Sequence, residues 1–131
     1  MKRQGEIREI KKGSFLIMDD HPCKIVSVDI SAPGKHGHAK ARIDGFSMFD
    51  GSRHSTISPT HAKCDIPIID KRQAQILSVS GNRLQLMDNA SYETFEIDIP
   101  EKEDFNDIRA KAQPGNQIDY WVVMERHLLK T

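Results

Sequence analysis

The sequence predicts an all-β protein with one short helix, and three observations predict it. Isoleucine and valine, twenty together, outnumber the fourteen leucines and alanines, a balance that favours strands because β-branched side chains fit a pleated, half-buried surface. Apolar stretches are short and often alternate with polar residues, the period of a strand. Turn residues punctuate them at short intervals, as expected of a small sandwich or barrel. With 131 residues the chain has room for one ordinary domain or two small ones, and three are excluded.

In the first half, Glu6 to Ile10 alternates, Lys12-Gly13 turns, and Phe15 to Met18 reads as a buried strand. Asp19-Asp20-His21-Pro22 breaks it, since two carboxylates and a proline favour a turn over a ladder. Cys23 to Ile30 is a strand with Cys23, Ile25 and Ser27 on one face and Lys24, Val26, Val28 and Ile30 partly on the other. Pro33 to Gly37 cannot continue it. Ala39 to Phe46 resumes, with Ala39, Ala41 and Ile43 on one side and Lys40, Arg42 and Asp44 on the other, so the two strands form a hairpin with a glycine-flanked tip. Asp50-Gly51 turns, His54 to Ile57 is a short strand, and Cys64 to Ile69 is another, with Pro67 in an edge-like position.

Strands resume at Ala74 to Val79, Leu84 to Met87 and Thr94 to Ile99, separated by turns at Ser80-Gly81-Asn82 and Asp88-Asn89. Pro100 ends the last of them. Glu101 to Ala112 is helical, with acidic residues in the first turn, Phe105 and Ile108 on one face and Lys111 near the end, where it suits the helix dipole. Pro114-Gly115 closes the helix, and Ile118 to Met124 is the final strand. A helix inserted before the last of several strands is the order of the five-stranded Greek-key barrel of OB type.

Residues up to Asp70 carry a net charge of +2 and those after it −2. The boundary Pro67-Ile68-Ile69-Asp70-Lys71 is too apolar for a loose linker, which predicts domains 1–70 and 71–131 packed as a fairly rigid pair. Overall, 19 basic residues cancel 19 acidic ones, so any attraction to nucleic acid must be local. The charged opening Met1 to Glu6 lacks the pattern of a secretory signal, and no apolar run nears the roughly 18 residues of a membrane span, so the expectation is a soluble cytoplasmic chain. Cys23 and Cys64 read as buried thiols, with no disulfide.

The densest chemistry lies between Asp29 and Asp44, a stretch with no acidic residue that gathers Lys35, His36, His38, Lys40 and Arg42. Taken alone, Gly34-Lys35-His36-Gly37 is either a solvated turn or a loop that presents a lysine to phosphates, its glycines keeping side chains out of the way. A phosphate-cradling loop anchored on Gly34-Lys35 would need glycine at 29 and a hydroxyl residue at 36, and the chain has Asp29 and His36. His21, Cys23, His61 and Cys64 have the composition of a zinc site but not its spacing, so no metal is expected. An exposed loop lysine stays protonated, unlike a catalytic one, and no local signature joins serine, histidine and aspartate, so no enzyme is expected. Tyr92, Phe95, Tyr120 and Trp121 read as core and rim aromatics ahead of a base-stacking platform.

The string Pro33-Gly34-Lys35-His36-Gly37-His38-Ala39-Lys40 closely resembles the signature of the translation factor 5A family, the hypusine-containing initiation or elongation factors of archaea and eukaryotes. The flanks agree: Pro22 to Val26, Phe49-Asp50-Gly51, Asp65 to Ile69, Met87-Asp88 and Ser91 to Glu96. The short segment before Glu6 resembles the archaeal branch, and Pro33 departs from eukaryotic members, which usually have a threonine there.

The resemblance implies an N-terminal SH3-like barrel followed by a C-terminal OB-fold barrel with one short helix. It implies that Lys35 receives an aminobutyl group from spermidine through deoxyhypusine synthase, with a hydroxyl added in many lineages, and that no other cofactor is needed. The factor would bind the ribosome as a monomer and direct the hypusine or deoxyhypusine side chain at the acceptor end of the peptidyl-tRNA, relieving stalling at proline runs. The added arm is longer by roughly 6 Å and carries a second positive charge. Gly34, His36, Gly37, His38, Lys40 and Arg42 would make the RNA and ribosome contacts, positioning the loop on phosphates without reading sequence. An unmodified RNA-binding OB module is the alternative.

Overall fold

The computed structural model describes residues 2–32 and 39–130. The chain divides into two compact units, Met1–Ile68 and Ile69–Thr131. The described residues are mostly strand, with one short helix, and the class is all-β.

The first unit holds β1 (Lys2–Glu6), a 3-10 turn (Ile7–Glu9), β2 (Phe15–Met18), β3 (His21–Ser31), β4 (Lys40–Ser47), β5 (Arg53–Pro59) and β6 (Lys63–Pro67). β2, β3, β4 and β5 form an antiparallel sheet in that order, and β1 pairs with β6. This SH3-like arrangement encloses one core of Ile7, Ile10, Leu16, Met18, Cys23, Ile25, Ala41, Ile43 and Ile66. Fully burying an isoleucine or leucine contributes about 1.5–3 kcal/mol, and Leu16, Ile25 and Ile43 are each buried to within 1%.

Four details differ from the sequence reading. Within the segment Glu6 to Ile10, Ile7–Glu9 winds as a 3-10 turn, and the strand is β1, which ends at Glu6. Ile7 and Ile10 are three residues apart and both buried, the spacing that a 3-10 turn brings to one side; the Glu9 carboxylate also accepts the Glu6 N–H at 2.5 Å. The turn between β2 and β3 is confined to Asp19 and Asp20, both left-handed at φ 52° and 64°, which closes a two-residue hairpin of favoured twist. Pro22 is therefore inside β3, before pairing with β4 starts at Cys23. A bulge between Ile25 and Ser27 shifts the alternation of β3, so Val28 packs against the core in place of Ser27. The strand expected over Cys64 to Ile69 ends at Pro67, and Ile69 begins the next strand.

The second unit holds β7 (Ile69–Ser80), β8 (Arg83–Asp88), β9 (Thr94–Asp98), a 3-10 turn (Glu103–Phe105), α1 (Asn106–Lys111), β10 (Gln117–Val123) and β11 (Arg126–Leu129). The sheet order is β11-β10-β7-β8-β9. Five strands with the helix between the third and fourth make this the OB fold. Ala74, Ile76, Leu84, Leu86, Ile99, Tyr120 and Leu129 form its core, against which Phe105 and Ile108 pack as their shared face predicts.

Two elements of this unit also depart from the sequence reading. The helix is six residues long, because Glu101-Lys102 stay outside it, with Lys102 extended, and Glu103–Phe105 wind as 3-10. The last strand is β11, reached through Met124 and Glu125, both left-handed at φ 49° and 68°. That turn contains neither glycine nor asparagine, so composition gives no sign of it.

Candidate nucleic-acid interface

Ser31 and Lys40 are cross-strand partners, so β3 and β4 stay paired up to the segment that holds the basic tip. Gly34, Lys35, His36, Gly37 and His38 lie outside the described residues. Lys40 and Arg42 lie within them, on β4, both exposed on the face opposite buried Ala41 and Ile43. Arg42 sits between Asp29 of β3 and Ile57 of β5, and Lys40 between Ser31 and Pro59. The Ala39 carbonyl accepts the Thr60 N–H at 3.0 Å, tying the start of this strand to the end of β5.

The next residue on the same face is Asp44, which the alternation puts opposite Ala41 and Ile43 and which is only 7% exposed. Ser27 Oγ donates to it at 2.9 Å, Ser55 Oγ donates to its other oxygen, and Arg53 donates at 3.4 Å. Arg42 Nε stands 3.8 Å away. The Ser55 hydroxyl above all, then that of Ser27, holds the Asp44 carboxyl below its ordinary range against the opposing effect of burial. The carboxylate is thus satisfied largely by neutral hydroxyls, while Arg42 and Arg53 keep exposed guanidiniums. Lys40, Arg42 and Arg53 form a cationic face of the kind that holds phosphates without reading bases. Arg53 is not among the residues the sequence singles out, since only the β4–β5 register brings it to this face.

Gly45 explains how the sheet closes behind this face. A Cβ there would stand 2.7 Å from the Lys24 carbonyl oxygen and 3.0 Å from Ile25 Cδ1. Only glycine allows β3 and β4 to approach so closely.

The other groups weighed from the sequence lie apart from this face. Among the described residues no three histidine, cysteine, aspartate or glutamate side chains gather as a metal site. Cys23 is buried and Cys64 partly so, and burial pushes both thiols up. His54 does align with Ser52 and Asp19, its two ring nitrogens each 2.8 Å from Ser52 Oγ and Asp19 Oδ2. Ser52 Oγ, however, donates to Asp50 Oδ1 at 2.5 Å. With that proton turned to a carboxylate, Ser52 does not present it to His54 as a nucleophile presents its proton to a general base. Tyr120 is buried and Phe95 stacks on His127, ring centroids 4.0 Å apart, so these aromatics serve the core and rim.

Residues 4–62 match the family described as "Translation initiation factor 5A-like, N-terminal", and residues 68–129 match "Eukaryotic elongation factor 5A hypusine, DNA-binding OB fold". The chain is 48% identical over 124 residues to the translation initiation factor 5A of Methanocella arvoryzae, covering 95% of this chain and 93% of that one. The chain belongs to the translation initiation factor 5A family. The family factor from Archaeoglobus fulgidus is 44% identical over 120 residues, covering 92% of this chain and 90% of its own. Among solved structures, the family protein from Methanococcus jannaschii superposes with a TM-score of 0.86 at 34% identity, covering 98% of this chain and 92% of that one. Membership makes the chain a translation factor, in a family that is not a class of enzymes. Among the described residues no helix is long and apolar enough to cross a membrane.

Proposed function

We propose that the chain binds the ribosome and promotes peptide-bond formation, relieving stalling at proline runs, through a hypusine or deoxyhypusine side chain on Lys35 directed at the acceptor end of the peptidyl-tRNA. The observation that carries this reading is the family description, which names hypusine, taken with the string Pro33 to Lys40. In this reading the domains are 1–70, which presents Lys35, and 71–131, the OB fold. Deoxyhypusine synthase is the partner that installs the aminobutyl group.

The physical role is orientation. The ribosome holds both reactants, and a factor that fixes the acceptor end near its reactive geometry lowers the entropic part of the barrier without acting as acid or base. Lys40 and Arg42, with Gly34, His36, Gly37 and His38, provide the phosphate contacts, and the paired stem of β3 and β4 supports that use.

Lys35→Arg tests the reading. The guanidinium keeps the charge but remains protonated and is a poor nucleophile, so the synthase has no amine to alkylate. The variant should fold, show no added mass after co-expression with the synthase, and lose the ability to relieve proline stalling in a reconstituted translation assay. Full activity of the Lys35→Arg chain would sink the modified-lysine mechanism and favour an unmodified RNA-binding module.

A further inference from the structure

Two lysines converge on Trp121. This residue lies on β10, where Lys71 of β7 is its cross-strand partner, and Lys130 follows β11 on the other side of the same strand. The ammonium nitrogens stand 5.2 and 4.9 Å from the indole centroid. Neighbouring Tyr120 points into the core, whereas Lys71 and Lys130 are exposed. With Gln73, Asn89 and Asp119 these side chains line a recess of about 560 Å³.

Charge and shape together select the ligand. Among the described residues neither Lys71 nor Lys130 forms an ion pair. Of the two carboxylates lining the recess, Asp88 is already held by Arg72, which leaves Asp119 opposite two ammonium groups. Cation–π contacts at exposed positions are weak, so a planar group can replace an ammonium on the ring, and the displaced lysine remains beside whatever anion accompanies it. A nucleotide brings a π-face and a phosphate in one unit. An inorganic anion or an acidic peptide would use the lysines and leave the indole idle.

OB folds ordinarily bind oligonucleotides on the face of their second and third strands. Here those strands are β8 and β9, and Arg83 is spent on Glu96 at 2.8 Å, with Asp98 as its cross-strand partner. Lys71 on β7 and Lys130 after β11, by contrast, are exposed, stand over one indole and form no ion pair among the described residues. We propose that the Trp121 recess binds a nucleotide of single-stranded RNA, its base on the indole and its phosphates held by Lys71 and Lys130.

Trp121 is the only tryptophan in the chain, so intrinsic fluorescence reads this recess alone. Titration of the full chain with oligouridylate at low salt is expected to quench the emission saturably, with an apparent affinity that falls as salt rises. A chain carrying both Lys71→Ala and Lys130→Ala should bind about tenfold more weakly with a shallower salt dependence, its circular dichroism unchanged. The Lys12→Ala chain, which removes an exposed charge far along the sequence, should quench like the native one, which separates this site from a general loss of positive charge. Absence of saturable quenching, an unchanged affinity in the double variant, or equal quenching by polyphosphate or polyglutamate would each overturn the proposal.

Discussion

Arg72 grips Asp88 with two nitrogens, Nε donating to one carboxylate oxygen at 2.6 Å and a terminal nitrogen to the other at 2.9 Å. The carboxylate is only 2% exposed, and it also accepts the Tyr120 hydroxyl at 2.5 Å and the N–H groups of Ala90 and Ser91, both at 2.8 Å. One side chain thus joins β7, β10 and the turn after β8.

Asp88→Asn is expected to destabilise the second unit by about 3 kcal/mol, because the amide cannot accept all these donors and the guanidinium keeps only the more exposed Asp70 as countercharge. Tyr120→Phe removes a single donor and should cost about 1 kcal/mol. Urea unfolding of both variants checks the ranking; equal stability of Asp88→Asn and native chains would refute it.

Stability should also depend on pH at both extremes. The Arg72 guanidinium holds the Asp88 carboxyl well below the usual carboxylate range, and the Ser52 hydroxyl lowers Asp50 to about 2. Groups depressed in this way contribute stability above their unfolded value near pH 4 and lose it as pH falls through the folded one. Burial, then Asp88, raises Tyr120 from 10.0 to about 12; its contribution is complete below pH 10 and disappears as pH rises through about 12. Denaturation midpoints measured across pH should therefore fall off below about 4 and above about 10, and the acid limb should flatten in Asp88→Asn.

Gly45→Ala should cost about 1–3 kcal/mol, since the new methyl meets the Lys24 carbonyl and backbone must shift. Ala at exposed Gly13 would meet nothing, but its φ of 91° strains any side chain. Amide exchange along β3 and β4 distinguishes the two: Gly45→Ala should loosen that pair, and an unchanged pattern would contradict the close-approach account.

Lys40→Ala should leave stability unchanged, as the side chain is exposed. Ribosome affinity should fall, and its salt slope should lessen by about one unit. A loss of affinity with an unaltered slope would mean that Lys40 does not meet phosphate.

Most strands, most turn positions and the core face of β4 are legible because period-two alternation and turn chemistry are local signals. The long-range facts are not. Alternation puts Asp44 on the polar face of β4 but does not show that the register brings Ser27 and Ser55 alongside it, and Arg53 joins Arg42 only through β4–β5 pairing. β11 is hidden by a turn of Met124 and Glu125 that carries no turn residue. Trp121 looks like its buried neighbour Tyr120, and only the sheet order reveals the lysines on either side of it.

The bulge between Ile25 and Ser27 stands at the base of the paired stem. From Ser27 to Ser31 the stem advances four residues, about 13 Å at strand spacing. A tilt of about 10° at the bulge would move the Ser31–Lys40 end by about 2 Å. For a factor whose proposed work is aiming, a misplacement of about 1 Å can cost roughly a hundredfold in rate. On that proposal the tight contact at Gly45, beside the bulge, would set the tolerance of the aim, and damage there would show as lost activity before it showed as lost fold.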